Sequence, residues 1–250
     1  MSEIAAQQII TGAQYVKQIT ALASDQRART AFLALALEIA APDARIFDFG
    51  AGPGMDARFY AQHGRSVAAY DVDAQMCEYF AEHCRDLIST GQVKLEVGSY
   101  PEFLSRHRTG SESGIDLVTS NFAPLNLIAE LNELFAAFHA LTGPSGQVLV
   151  SVLNPYYIGD LRYRWWWRNA PRLWRDGRFS VPGAQAPIVR RQLADFAAQA
   201  APYFKLQQVF RGLPTGAMAP PNRIDVYGGI RYSWARLTTS RFLFLLFRKR

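Results

Sequence analysis

Cysteine is scarce in this chain. Cys77 and Cys84 are the two it has, and they fall seven residues apart in a helical pattern. That spacing puts their α-carbons about 10 Å apart on one face, beyond the reach of a disulfide. The reading is of a reduced, cytoplasmic protein with no disulfide framework. Long apolar runs are also missing: the strongest, Phe242 to Phe247, is far too short to span a bilayer. The first residues lack the basic start and apolar core of a secretion signal, so none is expected. Histidine is sparse, and His63, His83, His107 and His139 each fall within or beside a helical pattern, where a solvent-facing role is the ordinary one. No metal site is expected. Charged residues make up 19% of the 250 positions and hydrophobic ones 49%, enough to bury the core of one α/β domain.

What charge there is leans positive, at +6. That balance suits an anionic partner, whether nucleic acid, a membrane surface or an acidic small molecule. The excess sits in two places. Arg162, Arg164, Arg168, Arg172, Arg175 and Arg178 crowd one segment, and Arg231, Arg236, Arg241, Arg248, Lys249 and Arg250 line the C-terminus.

Residues 1–41 read as helical, with alanine and leucine nearly continuous from Ala28 to Ala40 and Pro42 stopping the run. From there strand-like and helix-like segments alternate in the βαβ manner. Strands are predicted at Arg45 to Phe49, Ser66 to Tyr70, Gln92 to Val97, Ile115 to Ser120 and Gln147 to Leu153. Asp73 is placed to cap a helix carrying Met76, Phe80, Cys84 and Leu87, which Gly91 ends. Leu125, Ile128, Leu131, Leu134, Phe135 and Phe138 form the stripe of another, closed by the turn Gly143 to Gly146. The rhythm fails over 154–188. A helix, Arg190 to Ala200, and a strand, Phe204 to Phe210, restore it; residues 212–239 are irregular again, and a strand from Arg241 to Phe247 finishes the chain.

The richest segment is Ile46-Phe47-Asp48-Phe49-Gly50-Ala51-Gly52-Pro53-Gly54, an apolar strand ending in three glycines spaced by two. Glycine at a strand end turns sharply with positive φ and lets a ligand approach the backbone with no Cβ in the way. Asp71, about 20 residues on at the tip of the second strand, is placed to accept two hydrogen bonds from a ribose diol. The pair points to an adenosine cofactor. A dinucleotide fingerprint would need glycine at position 55, where the chain has Met55.

The pattern D-x-G-x-G-x-G resembles that of the class I S-adenosylmethionine-dependent methyltransferases. The likeness is good over 28–153 and looser over 190–211 and 240–248. It implies an α/β fold with a seven-stranded, mostly parallel sheet, helices on both faces and the last strand antiparallel. Residues 1–41 are then an N-terminal helical extension, 42–153 the cofactor-binding core, 154–188 an inserted lid and 189–250 the end of the sheet with a second insertion at 212–239. By the resemblance, Gly50, Ala51, Gly52 and Gly54 pass under the methionine and ribose parts of S-adenosylmethionine. Asp48 holds that loop or meets the amino group through water, Asp71 takes the ribose, and Val72 lies against the adenine. Ser99 stands where family members often carry an acid toward the base, and as a hydroxyl it is the weaker partner. Asn121 and Phe122, at the tip of the fourth strand, are expected near the transferred methyl group.

Methyl transfer from a sulfonium needs positioning and exclusion of water more than acid–base machinery. Tyr15, Tyr156 and Tyr157 lie in segments able to reach the pocket, and no general base is assigned. Residues Tyr156 to Arg168 include Trp165, Trp166 and Trp167 in a row, which cannot all face one core. Three readings stand for this segment: a lid over a flat or apolar substrate, a helix packed across the sheet with a solvated basic edge, or a grip on single-stranded nucleic acid. The expected activity is methylation of a small, aromatic or partly apolar metabolite in a bacterial small-molecule branch of the family. An RNA methyltransferase and a non-catalytic binding module on the same fold are the alternatives.

Overall fold

The computed structural model describes residues 23–108, 114–183, 186–211, 222–224 and 240–250. Tyr15 and most of the second predicted insertion lie outside them.

Among the described residues ten strands follow in chain order: β1 (Arg45–Phe49), β2 (Ser66–Asp71), β3 (Val93–Val97), β4 (Ile115–Ser120), β5 (Thr142–Leu153), β6 (Arg178–Val181), β7 (Ile188–Arg191), β8 (Phe204–Arg211), β9 (Asn222–Ile224) and β10 (Phe242–Lys249). Eight form one sheet in the order β3-β2-β1-β4-β5-β10-β8-β9, and β6 and β7 make a separate hairpin. The strands from β3 to β5 are parallel, and β10 enters antiparallel between β5 and β8. This is the seven-stranded, mostly parallel sheet with an inverted last strand, to which the three-residue β9 adds an edge.

The helices are α1 (Ala23–Ile39), α2 (Met55–Gln62), α3 (Ala74–His83), α4 (Arg85–Ser89), α5 (Tyr100–Arg108), α6 (Asn132–Leu141), α7 (Arg164–Asp176) and α8 (Leu193–Ala200). Side chains along a strand alternate between faces, and β10 shows the result. Leu243, Leu245 and Phe247 join a core with Phe103 of α5, Phe135 and Phe138 of α6 and Phe196 of α8. Phe242, Phe244 and Leu246 join the opposite core with Phe32 of α1, Tyr60 of α2 and Phe80 of α3. Each such side chain contributes about 1.5–3 kcal/mol by leaving water, so the sheet is held from both sides.

Four boundaries differ from the pattern reading. The helix over Met76 to Leu87 is broken at Cys84 (φ −106°, ψ 17°), where Arg58 takes the carbonyl of His83 at 2.7 Å; both cysteines are buried free thiols. The stripe from Leu125 to Phe138 is split into a 3₁₀ turn, Pro124–Leu127, and α6. Between them the carbonyls of Ile128 and Ala129 accept from the buried Arg191, and the amide of Leu131 donates to Gln199. Side chains from far along the chain thus replace the helix's own bonds. Residues Gly143 to Gly146 do not end an element but bulge within the start of β5, where the register against β4 shifts. Arg190 and Arg191 belong to β7, because the hairpin pairs them with Phe179 and Arg178; α8 starts at Leu193.

The irregular stretch after β5 is more ordered than its periodicity suggested. A 3₁₀ turn, Ile158–Asp160, leads into α7, and Tyr156, Trp166, Ala170, Leu173 and Phe179 form a small core of their own.

Candidate active site

The turn leaving β1 is built on left-handed glycines. Gly50 has φ 72° and Gly54 φ 79°. A Cβ on Gly50 would stand 2.6 Å from the ring of Pro124, and one on Gly54 2.6 Å from Phe80. Neither position admits another residue without displacing its neighbour. The amides of Gly50 and Ala51 both donate to the carbonyl of Tyr70 (2.8 and 3.0 Å), so the loop is tied to the tip of β2. There the Asp71 carboxylate accepts from the amides of Gly52 (2.7 Å) and Asp73 (2.9 Å). Burial pushes Asp71 above the usual carboxylate range, while those amides pull against it. Val72 beside it and Val97 opposite it in the register are both well exposed, an apolar ledge at the ends of β2 and β3. Asp73 caps α3 by accepting from the amides of Gln75 and Met76.

Beside the loop opens a small cleft, lined by residues 50–53 with Asp48, Asp56, Asn121, Phe122 and Arg29. Asp48 is buried; Thr119 donates to one carboxylate oxygen at 3.0 Å, and the other has no hydrogen-bond partner among the described residues. Burial first, and the nearby charge of Asp56 second, push its pKa up to about 8. Asp56, in the first turn of α2, also lines the cleft. One of its oxygens accepts twice from the Arg29 guanidinium, the Nε contact at 2.6 Å, and the other accepts from the Asn121 side-chain amide at 2.9 Å. The side-chain oxygen of Asn121 accepts in turn from the amide of Phe122. Phe122 (φ 58°) and Ala123 (φ 66°) are both left-handed without being glycine. Such backbone costs about 1–2 kcal/mol per residue, and strain of this kind gathers at functional sites.

The structure therefore brings Asp48, Gly50, Ala51, Gly52, Asn121 and Phe122 together around one cleft, with Gly54 behind the loop and Asp71 and Val72 at its far end. Ser99 is engaged locally: its hydroxyl and amide form a capping box with Glu102 at the start of α5. Tyr156 and Tyr157 do not line the cleft. The Tyr156 hydroxyl accepts from Gln192, and the Tyr157 ring lies against Gly159. None of the four histidines lines it either. Arg29 and Asp56 are site residues that the pattern reading missed. Asp56 looks like an ordinary first-turn acid, and nothing in the spacing of α1 sets Arg29 apart from Arg27. Among the described residues no cluster of His, Cys, Asp and Glu could hold a metal ion, and no helix is long and apolar enough to cross a membrane.

A glycine turn after β1, an acid ending β2 and a cleft at the carboxyl ends of β1 and β4, on this strand order, define a class I Rossmann-like methyltransferase. The family model described as "Methyltransferase domain" matches residues 16–197, and the chain belongs to that family. The malonyl-[acyl-carrier protein] O-methyltransferase of Erwinia billingiae is 27% identical over 122 residues, 48% of this chain and 43% of that protein. The chain thus spans less than half the length of that relative. An S-adenosylmethionine-dependent methyltransferase of Mesorhizobium loti shares the fold at TM-score 0.59 and 18% identity, covering 89% of this chain and 97% of its own. The 1,6-didemethyltoxoflavin-N1-methyltransferase of Burkholderia thailandensis, solved with 1,6-didemethyltoxoflavin and S-adenosylhomocysteine bound, does so at TM-score 0.58 and 17% identity, covering 100% and 92%.

Proposed function

We propose that this enzyme methylates a small, aromatic or partly apolar acceptor, with the donor held in the cleft between the glycine loop and the tip of β4. The observation that carries the reading is the cleft itself, where the Gly50–Gly54 turn, a buried carboxylate with an unsatisfied oxygen and a strained strand tip converge. The residues fit S-adenosylmethionine. Asp71 is positioned for the ribose diol, Val72 and Val97 for the flat face of the base, and Gly50 to Gly52 for close backbone approach. Asp48 offers its free oxygen to the ammonium group, and Arg29 offers its guanidinium to the carboxylate. When bound, the donor supplies a methyl group already activated on a sulfonium. The chain's own task is then to position and to exclude water. Asn121 is locked between Asp56 and its neighbour's amide, so it presents a fixed edge toward an acceptor. Phe122, braced edge-on against Phe242 at 5.6 Å, supplies an apolar wall. The small-molecule acceptor is supported by the bound 1,6-didemethyltoxoflavin of the Burkholderia neighbour.

Titration calorimetry should show binding of S-adenosylmethionine and S-adenosylhomocysteine and none of NAD; the reverse pattern would overturn the assignment of the cleft. Incubation with labelled donor and extract of the source cell, followed by identification of the labelled product, tests the acceptor class, and label found in RNA would refute it.

Asp48 adds a pH signature. Between its ordinary value of 3.8 and about 8, the folded chain holds a proton that the unfolded chain has lost. Stability contributed by the neutral group is therefore lost as pH rises through that window. Unfolding free energies at pH 5 and pH 8 should show the decline, and Asp48→Asn should flatten it. An ammonium group bound beside Asp48 favours the carboxylate, so donor binding at pH 7 should release a proton. The measured heat would be more exothermic in Tris than in phosphate, and equal heats in the two buffers would place the ammonium elsewhere.

A further inference from the structure

Helix α7 and its cap carry an exposed surface apart from the residues that line the cleft. Trp166, Ala170 and Leu173 face inward and are buried. At about 100° per residue, Tyr163, Trp167 and Trp174 line up in a narrow stripe along the outside of the helix. Trp167 is 55% exposed and Trp174 48%. The next arc around the helix is made of Arg164, Arg168, Arg172 and Arg175, all exposed. Arg175 pairs with Asp176, while Arg164, Arg168 and Arg172 form no ion pair among the described residues. Solvation accounts for the arginines. It does not account for two half-exposed indoles in register beside them, since large apolar side chains grouped at a surface mark an interaction site.

We infer that this face docks on an anionic phospholipid bilayer. Indole rings settle at the headgroup level, with their apolar body inward and their polar edge outward, and guanidinium groups pair with phosphate. The two stripes run parallel along one convex helix and so match a plane. A nucleic acid strand would want a groove in which bases stack, and an acidic protein would leave the indoles without a purpose. The indole N–H of Trp167 is already given to the carbonyl of Leu161 at 2.7 Å, which fixes the angle of the ring. The helix follows β5 by way of the turn Ile158–Asp160 at the carboxyl end of the sheet, where the cleft opens. Docking would bring that edge to the lipid, although the docking itself does not depend on the methyl-transfer reading.

The test uses the full chain and vesicles of phosphatidylcholine, with and without about 30% phosphatidylglycerol. Flotation should carry the protein with the anionic vesicles alone. Four of the chain's five tryptophans lie between Trp165 and Trp174, so intrinsic fluorescence should shift to the blue on binding. Replacing Arg164, Arg168 and Arg172 with glutamine should weaken binding about a hundredfold, at the contribution expected of three surface arginines. Trp167→Ser with Trp174→Ser should abolish the blue shift while S-adenosylmethionine binding persists. Absence of flotation, equal flotation with both vesicles, or retention of affinity in the glutamine variant would overturn the inference. So would stronger retention on a single-stranded RNA oligonucleotide or on polyglutamate than on the anionic vesicles.

Discussion

Replacing Arg29 with alanine is expected to cost the fold about 3–5 kcal/mol, the penalty for leaving one partner of a buried ion pair behind. The pair is nearly dry, with the side chains of Arg29 and Asp56 exposed by 15% and 8%. Asp48 lies close enough that its carboxyl already responds to the charge on Asp56. Removing the guanidinium would leave Asp56 with one neutral partner, the Asn121 amide. Denaturant unfolding of Arg29→Ala, Asp56→Asn and the double variant resolves the coupling. The double variant should recover most of the loss, since it buries no uncompensated charge. Donor affinity should fall in Arg29→Ala as well, because the same guanidinium faces the cleft. A change in unfolding free energy below about 0.5 kcal/mol, the level of an ordinary surface substitution, would mean that water screens the pair.

Asp71→Ala should weaken S-adenosylmethionine binding by about 1.5–3 kcal/mol, the range for hydrogen bonds to a charged group. The structure adds a second consequence. The amides of Gly52 and Asp73 both donate to this carboxylate, so alanine also frees the Gly52 end of the glycine loop, which then holds to β2 only through the bonds of Gly50 and Ala51 to the Tyr70 carbonyl. Some stability should be lost together with affinity, and the loop should become the more easily opened part of the cleft. Calorimetry on the variant decides the matter. An unchanged dissociation constant would move the ribose contact away from β2.

The βαβ order, the strands β1 to β5 and the glycine turn with Asp71 beyond it were legible because they rest on local rules. Apolar runs between breakers, glycine where φ must be positive and an acid at the next strand's end all act over a few residues. The inverted last strand came from the family resemblance, and β10 bears it out. The three tryptophans divided as their spacing required, with Trp166 buried and Trp167 exposed, but periodicity alone did not reveal α7, whose inward face is short and whose outer face is also aromatic.

By itself the sequence determined the fold class and the glycine turn after β1, since both depend on residue types at short, fixed spacing. Tertiary structure decided the rest of the cleft. Asp56 meets Arg29 across 27 residues and Asn121 across 65. The break before α6 exists because Arg191 and Gln199 arrive from more than 60 residues away to take its backbone bonds. Such pairings are set by which strand tips and helix ends the sheet order brings side by side, and hydrophobic periodicity carries no record of them. A buried carboxylate with a raised pKa is the same kind of fact, for the desolvation that shifts Asp48 comes from the packed chain around it and not from its neighbours in sequence.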